Sequence, residues 1–322
     1  VLCFNRSKAM KKHSYRAVEA FRGLDKTIRI VGHRGARGVV PENTMLGFIS
    51  TIQMGINLLE FDVVLCADGV PVITHNHALH APTFKHVGGN FIDHEPKVLD
   101  LTWSQLQCFE VGRLDSSTQY GQRFPDQLQF DGMKVPKLDE LLAHVASLGD
   151  NNVYLMLEIK SDPNHLNNDI FRKKLVNEVI KRVRQFDLIN QTLLHSFDWR
   201  ILEECKSSAP EFPTSFLTQI NHNPADVGED SSLSVGPNIK DFGDQVPDNV
   251  FEKGGSLWCP NVQDITPEAL KRAKNLDLVT AVWTVNTVEE IDRMIEYGVD
   301  AIVTDYPGRV QQRLAVYGYN WQ

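Results

Sequence analysis

The sequence predicts an α/β chain closed into a parallel (β/α)8 barrel, and three observations predict it. Eight short runs of aliphatic and β-branched residues recur along the chain. Helix-period segments separate many of them, and the runs are almost continuously apolar, as strands covered on both faces must be. The ionisable residues that interrupt them cluster at their carboxyl ends, where barrels of this kind hold their sites.

In order, the runs are 28–32 (IRIVG), 57–63 (NLLEFDV), 153–159 (VYLMLEI), 192–196 (TLLHS), 214–218 (TSFLT), 256–260 (SLWCP), 279–285 (VTAVWTV) and 299–304 (VDAIVT). Helical patterns lie at 44–54, 137–147, 167–187, 198–207, 266–275 and 287–297. The last carries Val288, Ile291, Met294 and Ile295 at helix spacing, and Asn43 or Thr44 caps the first. A ninth run, 70–74 (VPVIT), follows Ala67-Asp68-Gly69, a link far too short for a parallel crossover. Asp68-Gly69 is a hairpin-turn dipeptide. With those two residues as the turn, Ala67 pairs with Val70 and the ladder sets His75 across from Asp62.

Residues 76–136 are rich in His, Gly and Pro, with little periodicity beyond a short helix near 102–109. They read as an insertion after the hairpin, on the barrel mouth. Residues 221–250, rich in Asn, Asp, Gly, Ser and Pro, read as a loop. The chain divides into an N-terminal extension, 1–27, and one barrel domain, 28–322, that includes the insertion. Val1-Leu2-Cys3 invites comparison with a processed lipoprotein terminus, on the strength of Cys3 alone.

With 42% hydrophobic and 23% charged residues the chain falls outside the disordered and collagen-like classes. No window approaches the roughly 18 uninterrupted apolar residues of a membrane span. A net charge of -8 argues against nucleic acid as partner, because a phosphate backbone calls for a basic face. The five cysteines, Cys3, Cys66, Cys108, Cys205 and Cys259, are odd in number and widely spaced, with no metal-like grouping. They read as buried or free thiols, with one disulfide left open.

Residues i and i+2 of a strand share a face. Glu60 and Asp62 therefore converge while Phe61 packs on the other side, and Glu158 and Lys160 repeat the arrangement. Carboxylates inside apolar strands are costly unless paired or bound to metal; three of them suit one hard divalent ion. Arg34 and Lys160 suit a phosphate. His33, directly after strand 28–32, and His75, at the end of the hairpin, suit proton transfer near neutral pH. Glu42 reads as a supporting group. Trp283 and Asn286 follow a strand, Trp283 as an aromatic that stacks on substrate or excludes water. Trp258 reads as core and Asp305 as a loop cap, while His77, His80, His86 and His94 read as loop residues.

Together, His33-Arg34-Gly35, Pro41-Glu42-Asn43-Thr44, Glu60-x-Asp62, Asp68-Gly69 then Pro71-Val72-x-x-His75, Glu158-x-Lys160, Trp283-x-x-Asn286 and Thr304-Asp305-x-Pro307 resemble the glycerophosphodiester phosphodiesterase family. The likeness spans about residues 28 to 315. It implies a barrel with a characteristic insertion after the hairpin, one Mg2+ or Ca2+ on Glu60, Asp62 and Glu158, and His33 and His75 as the acid/base pair. It further implies Arg34 and Lys160 on the phosphate, a small-molecule glycerophosphodiester as substrate, and glycerol 3-phosphate and an alcohol as products. The implied route is attack by the glycerol 2-hydroxyl, then opening of the cyclic phosphate by water. A related alternative acts on intact or lyso-phospholipids, and a barrel that only binds phosphate is the other. The family commonly has Asp where this chain has Asn76, which removes a negative charge beside His75 but leaves the essential set intact. Val111-Gly112-Arg113 and Phe124-Pro125 before Val135-Pro136 resemble exported bacterial members, so a periplasmic or otherwise exported location is expected ahead of a cytoplasmic one.

Overall fold

The computed structural model describes residues 15–149, 152–220 and 241–322. The first elements are α1 (Arg16–Phe21), β1 (Arg29–Gly32), α2 (Met45–Gln53), β2 (Leu58–Leu65) and β3 (Pro71–Ile73). The insertion adds β4 (Lys85–His86), α3 (Trp103–Leu106), β5 (Phe109–Glu110) and α4 (Gln119–Gln122). There follow α5 (Leu138–Ser147), β6 (Tyr154–Ile159), α6 (Asp169–Gln185), β7 (Thr192–Ser196), α7 (Trp199–Ser208) and β8 (Thr214–Thr218). The chain closes with α8 (Val246–Glu252), β9 (Leu257–Pro260), α9 (Pro267–Asn275), β10 (Val279–Val282), α10 (Val288–Tyr297), β11 (Ala301–Thr304) and α11 (Pro307–Tyr317).

The strands β1, β11, β10, β9, β8, β7, β6 and β2 pair in that order, all parallel, and β2 returns to β1 through Val31↔Leu58 and Gly32↔Leu59. The eight expected strands thus form a closed barrel of the expected class. Strand parity explains the sequence pattern. Leu58, Tyr154, Met156, Leu193, Leu217, Leu257 and Cys259 fill the interior with Val31, Ala281 and Val303. Their neighbours Leu59, Phe61, Val63, Leu155 and Leu157 pack outward against α2, α5 and α6. Each strand is buried on both faces, hence the unbroken apolar runs. Following Leu58 and Met156 at period two, Glu60 must also point inward at the level of Met156, and Asp62 and Glu158 one level higher.

Helix α1 falls within the stretch read as an N-terminal extension, yet Ala17, Val18 and Phe21 are buried in the interior cluster beside the first residues of β2, β6, β9, β10 and β11. It closes the amino end of the barrel. At the other end, the insertion lays Leu79, Phe84, Ile92, Val98, Leu106, Phe109 and Val135 over Val64 and Val72 of the hairpin, as a satellite core. His86, expected in a loop, sits in the short ribbon of β4 and β5. The loop expected over 221–250 is corrected at its end, where α8 begins; residues 221–240 lie outside those described. Helix α11 adds to the anticipated helices. Its buried stripe is only Pro307, Val310 and Leu314, too sparse a signal to stand out in sequence.

The hairpin register departs from expectation by one residue. Val63 pairs with Ile73, Val64 with Val72 and Leu65 with Pro71, and the Cys66 N–H donates to the Val70 carbonyl. Ala67, Asp68 and Gly69 all lie in the loop, because Gly69 adopts φ +76°, a conformation that favours glycine and makes the turn a three-residue one. Thr74, not His75, faces Asp62, with its N–H donating to the Asp62 carbonyl.

Among the described residues Cys66, Cys108, Cys205 and Cys259 are free thiols; Cys3 lies outside them. No helix of the described residues is long and apolar enough to cross a membrane.

Candidate active site at the carboxyl end of the barrel

Asp62 and Glu158 are register partners on β2 and β6, and Glu60 stands two residues earlier on β2. One carboxylate oxygen from each lies within 4.8 Å of the others, and all three residues are buried. Burial pushes the Glu60 carboxyl well up, and the adjoining Asp62 and Glu158 charges push it further. Burial likewise raises Glu158, to about 7, with Lys160 opposing the shift and Asp62 adding to it. Burial also works against Asp62, but His75, Lys160, Arg34 and a hydrogen bond from Asn43 outweigh it and hold this carboxyl well below the usual range. Three converging buried carboxylates, two reluctant to ionise, are an acidic triad that can hold one hard divalent ion.

Two cations flank the triad. Lys160 Nζ lies 3.2 Å from Glu158 Oε1 and 3.6 Å from Asp62 Oδ1. Arg34 Nε is 3.6 Å from Asp62 Oδ2, and its terminal nitrogen donates to Glu42 Oε1 at 2.9 Å. The backbone of Arg34 is at φ +50°, costly for a residue with a side chain. That conformation lets its N–H donate to Glu60 Oε2 at 3.0 Å. Thr44 caps α2, accepting from Gly47 N–H, so Asn43 is released to donate to Asp62 Oδ2 at 2.9 Å.

Each histidine is tied at Nδ1. His33 Nδ1 is 2.6 Å from Asp305 Oδ1, and its Nε2 is 3.8 Å from Glu60 Oε2. His75 Nδ1 is 2.6 Å from Asn76 Oδ1, and its Nε2 is 3.2 Å from Lys160 Nζ. Both partners accept, so both rings are placed as Nδ1–H donors with the Nε2 lone pair turned to the site. Burial lowers the His33 pKa, Asp305 pulls it back up and Arg37 adds to the lowering, which favours the neutral ring.

His33, Arg34, Glu60, Asp62, His75, Glu158, Lys160 and Trp283 all line one cavity of about 280 Å³. Trp283 contributes an apolar wall, its indole N–H bound to the Cys259 carbonyl at 3.0 Å and its ring edge-to-face with Phe197. Trp258 lies in the outer core, as expected.

The expectation that Asp305 is a loop cap is corrected. Asp305 is fully buried, with Oδ1 receiving His33 Nδ1–H and Arg37 Nε–H, and Oδ2 receiving Arg37 and Asn286 Nδ2. Its place at the end of the last strand was the signal for a site residue, but nothing in the sequence linked it to His33. Asn286 braces Asp305 rather than standing alone, its Oδ1 accepting the Asp305 N–H at 3.0 Å. His195, inward on β7, also lines the cavity; it hydrogen-bonds Ser215, and burial drives its pKa to about 3, so the ring is neutral. A histidine ending an apolar run was its only sequence signal.

The family model described as the glycerophosphoryl diester phosphodiesterase family matches residues 33–309. A glycerophosphodiester phosphodiesterase of Caldanaerobacter subterraneus is 25% identical over 86% of this chain and 94% of its own. A crystal structure from Silicibacter pomeroyi, provisionally named a glycerophosphoryl diester phosphodiesterase, is 43% identical with a TM-score of 0.89, covering 96% of this chain and all of that one. An Oleispira antarctica phosphodiesterase in complex with the product sn-glycerol-3-phosphate shares the fold at 18% identity, with a TM-score of 0.66 over 92% of this chain and 99% of that one. The chain belongs to the glycerophosphoryl diester phosphodiesterase family and is a phosphoric diester hydrolase.

Proposed function

We propose that the protein hydrolyses glycerophosphodiesters to glycerol 3-phosphate and an alcohol, with a divalent cation, Mg2+ or Ca2+, and two acid/base histidines. The observation that carries this reading is convergence. An acidic triad, two cations and two imidazoles that turn Nε2 inward line one cavity in a member of this family.

The donor set fits a hard cation, since three carboxylates meet there and two resist ionising without a counter-charge. Glu60, Asp62 and Glu158 would hold it, and when bound it supplies positive charge to the phosphoryl oxygens. The remaining work belongs to the side chains. Arg34 and Lys160 hold the phosphate and offset charge that builds on its nonbridging oxygens. One imidazole, with its Nε2 lone pair, takes the proton of the glycerol 2-hydroxyl as that oxygen attacks phosphorus; the other, entering as the imidazolium with a proton on Nε2, gives that proton to the departing alcohol. In the second stage the roles reverse as water opens the cyclic phosphate. Trp283 and Phe197 give the cavity an apolar wall that excludes water there.

The test is release of glycerol 3-phosphate from glycerophosphocholine by purified protein, after EDTA and then with Mg2+ or Ca2+ restored. Turnover should vanish on chelation and return with one of the ions. A metal-independent rate would remove the cation from the reading. A second reading, action on acylated diesters, draws on a human lysophospholipase D that is 24% identical over 88% of this chain. Parallel assays with lysophosphatidylcholine separate the two.

A further inference from the structure

The insertion does more than cover the barrel mouth. Its segment 120–127 grips one residue, Arg37, from three directions. The Tyr120 hydroxyl accepts from an Arg37 terminal nitrogen at 3.3 Å. The Phe124 ring lies under the guanidinium, 4.6 Å from Cζ to centroid. Gln127 Nε2 donates to the Arg37 carbonyl at 2.7 Å. Held this way, Arg37 meets Asp305 edge-on, with Nε 3.0 Å from Oδ1 and a terminal nitrogen 3.1 Å from Oδ2. Arg37, Asp305 and Gln127 are all buried. Asp305 in turn holds His33 Nδ1 at 2.6 Å.

We propose that segment 120–127 of the insertion positions the acid/base histidine of the barrel, with Tyr120 and Arg37 as positioning residues that act on His33 through Asp305. The assignment rests on the proposed role of His33. The physical reason is orientation. A carboxylate held by one donor can pivot, whereas Asp305, with both oxygens engaged by a planar fork and by Asn286, presents Oδ1 in one direction. That direction fixes the ring plane and tautomer of His33 and aims its Nε2 at the carboxylate triad. In triads of this logic the orienting carboxylate is worth several orders of magnitude in rate, so its brace should be worth a measurable share. Tyr120 is suited to the task by its hydrogen-bond inventory. Its single proton goes to Glu42 Oε2 and its lone pair receives Arg37. Glu42 also receives Arg34, so one insertion residue touches the supports of both the histidine and the phosphate-holding arginine.

The experiment uses Tyr120→Phe, which keeps the ring packed on Phe124 and His80 while removing both hydrogen bonds. Arg37→Lys keeps the charge but not the fork, and Phe124→Leu serves if Tyr120→Phe does not fold. Each is read by turnover of glycerophosphocholine and by the downfield proton resonance of His33 Nδ1–H, assigned through its loss in His33→Ala. Tyr120→Phe and Arg37→Lys should each lower kcat by about tenfold to a hundredfold and broaden or shift that resonance. Unchanged resonance and kcat within about twofold would overturn the proposal. So would a fall in activity with the resonance unmoved, which would send the effect through Glu42 and Arg34. If the wild type fails to turn over glycerophosphocholine, the proposed function falls, and the resonance alone decides whether the insertion sets the histidine.

Discussion

At His33 and His75 the Nδ1 atom is tied to Asp305 or Asn76, and Nε2 faces the cavity, 3.8 Å from Glu60 Oε2 in the first and 3.2 Å from Lys160 Nζ in the second. On the proposed acid/base role, His33→Ala and His75→Ala should each cost at least about 100-fold in turnover. A loss below about tenfold in steady-state assays would contradict the assignment. The carboxylates permit a pH prediction. Burial and mutual repulsion raise Glu60 and bring Glu158 to about 7, so below that pH the metal-free cluster keeps protons that an incoming cation must displace. Metal binding therefore strengthens as pH rises through 7. The half-saturating concentration of Mg2+ or Ca2+, measured by calorimetry, should fall about tenfold between roughly pH 6 and 8. A flat response would mean that the triad is already ionised without the ion.

At the scale of elements, the turn after β1 sets the positions of His33 and Arg34, and it is packed too closely for a side chain at Gly32. A Cβ there would stand 2.0 Å from the Gly35 carbonyl oxygen and 2.7 Å from Thr51 Cγ2 of α2. Gly32→Ala must shift the turn or the helix, and overpacking of this kind costs about 1–3 kcal/mol. Denaturant unfolding should show that loss, with activity per folded molecule reduced as well, because His33 is the next residue. Unaltered kinetics in a destabilised variant would mean that the turn relaxes without moving the histidine. The hairpin makes the complementary point. Its third loop residue, Gly69, moves the register by one place, yet His75 still reaches Lys160 because it lies beyond the ladder, where strand parity no longer applies.

Across the whole molecule, stability and chemistry sit at opposite ends of the barrel. Phe21 of α1 is fully buried against the interior cluster at the amino end, far from the carboxylates in the order of layers. Phe21→Ala should cost about 3–5 kcal/mol in urea unfolding while leaving kcat for the folded protein unchanged. A matching drop in kcat would mean that the interior layers transmit the cavity to the site. The opposite end is built from strand tips and from the insertion, which joins the site through Tyr120, Phe124 and Gln127.

The sequence by itself determined the barrel and which carboxylates converge inside it. Period-two alternation forces Glu60, Asp62 and Glu158 to the side opposite Phe61 and Leu157, and the alternation of eight apolar runs with helices leaves few other architectures. Only the tertiary structure decided how those groups are held. Asp305, Arg37, Asn43 and Tyr120 reach the site from segments up to 272 residues apart, as His33 and Asp305 are, and no local pattern encodes such a pairing. Barrel closure between β1 and β2, and β1's pairing with β11, bring the first and last strands together. That juxtaposition places the Asp305 carboxylate on His33. Local periodicity can report which face a residue occupies, but a hydrogen bond between distant segments exists only once the chain has closed.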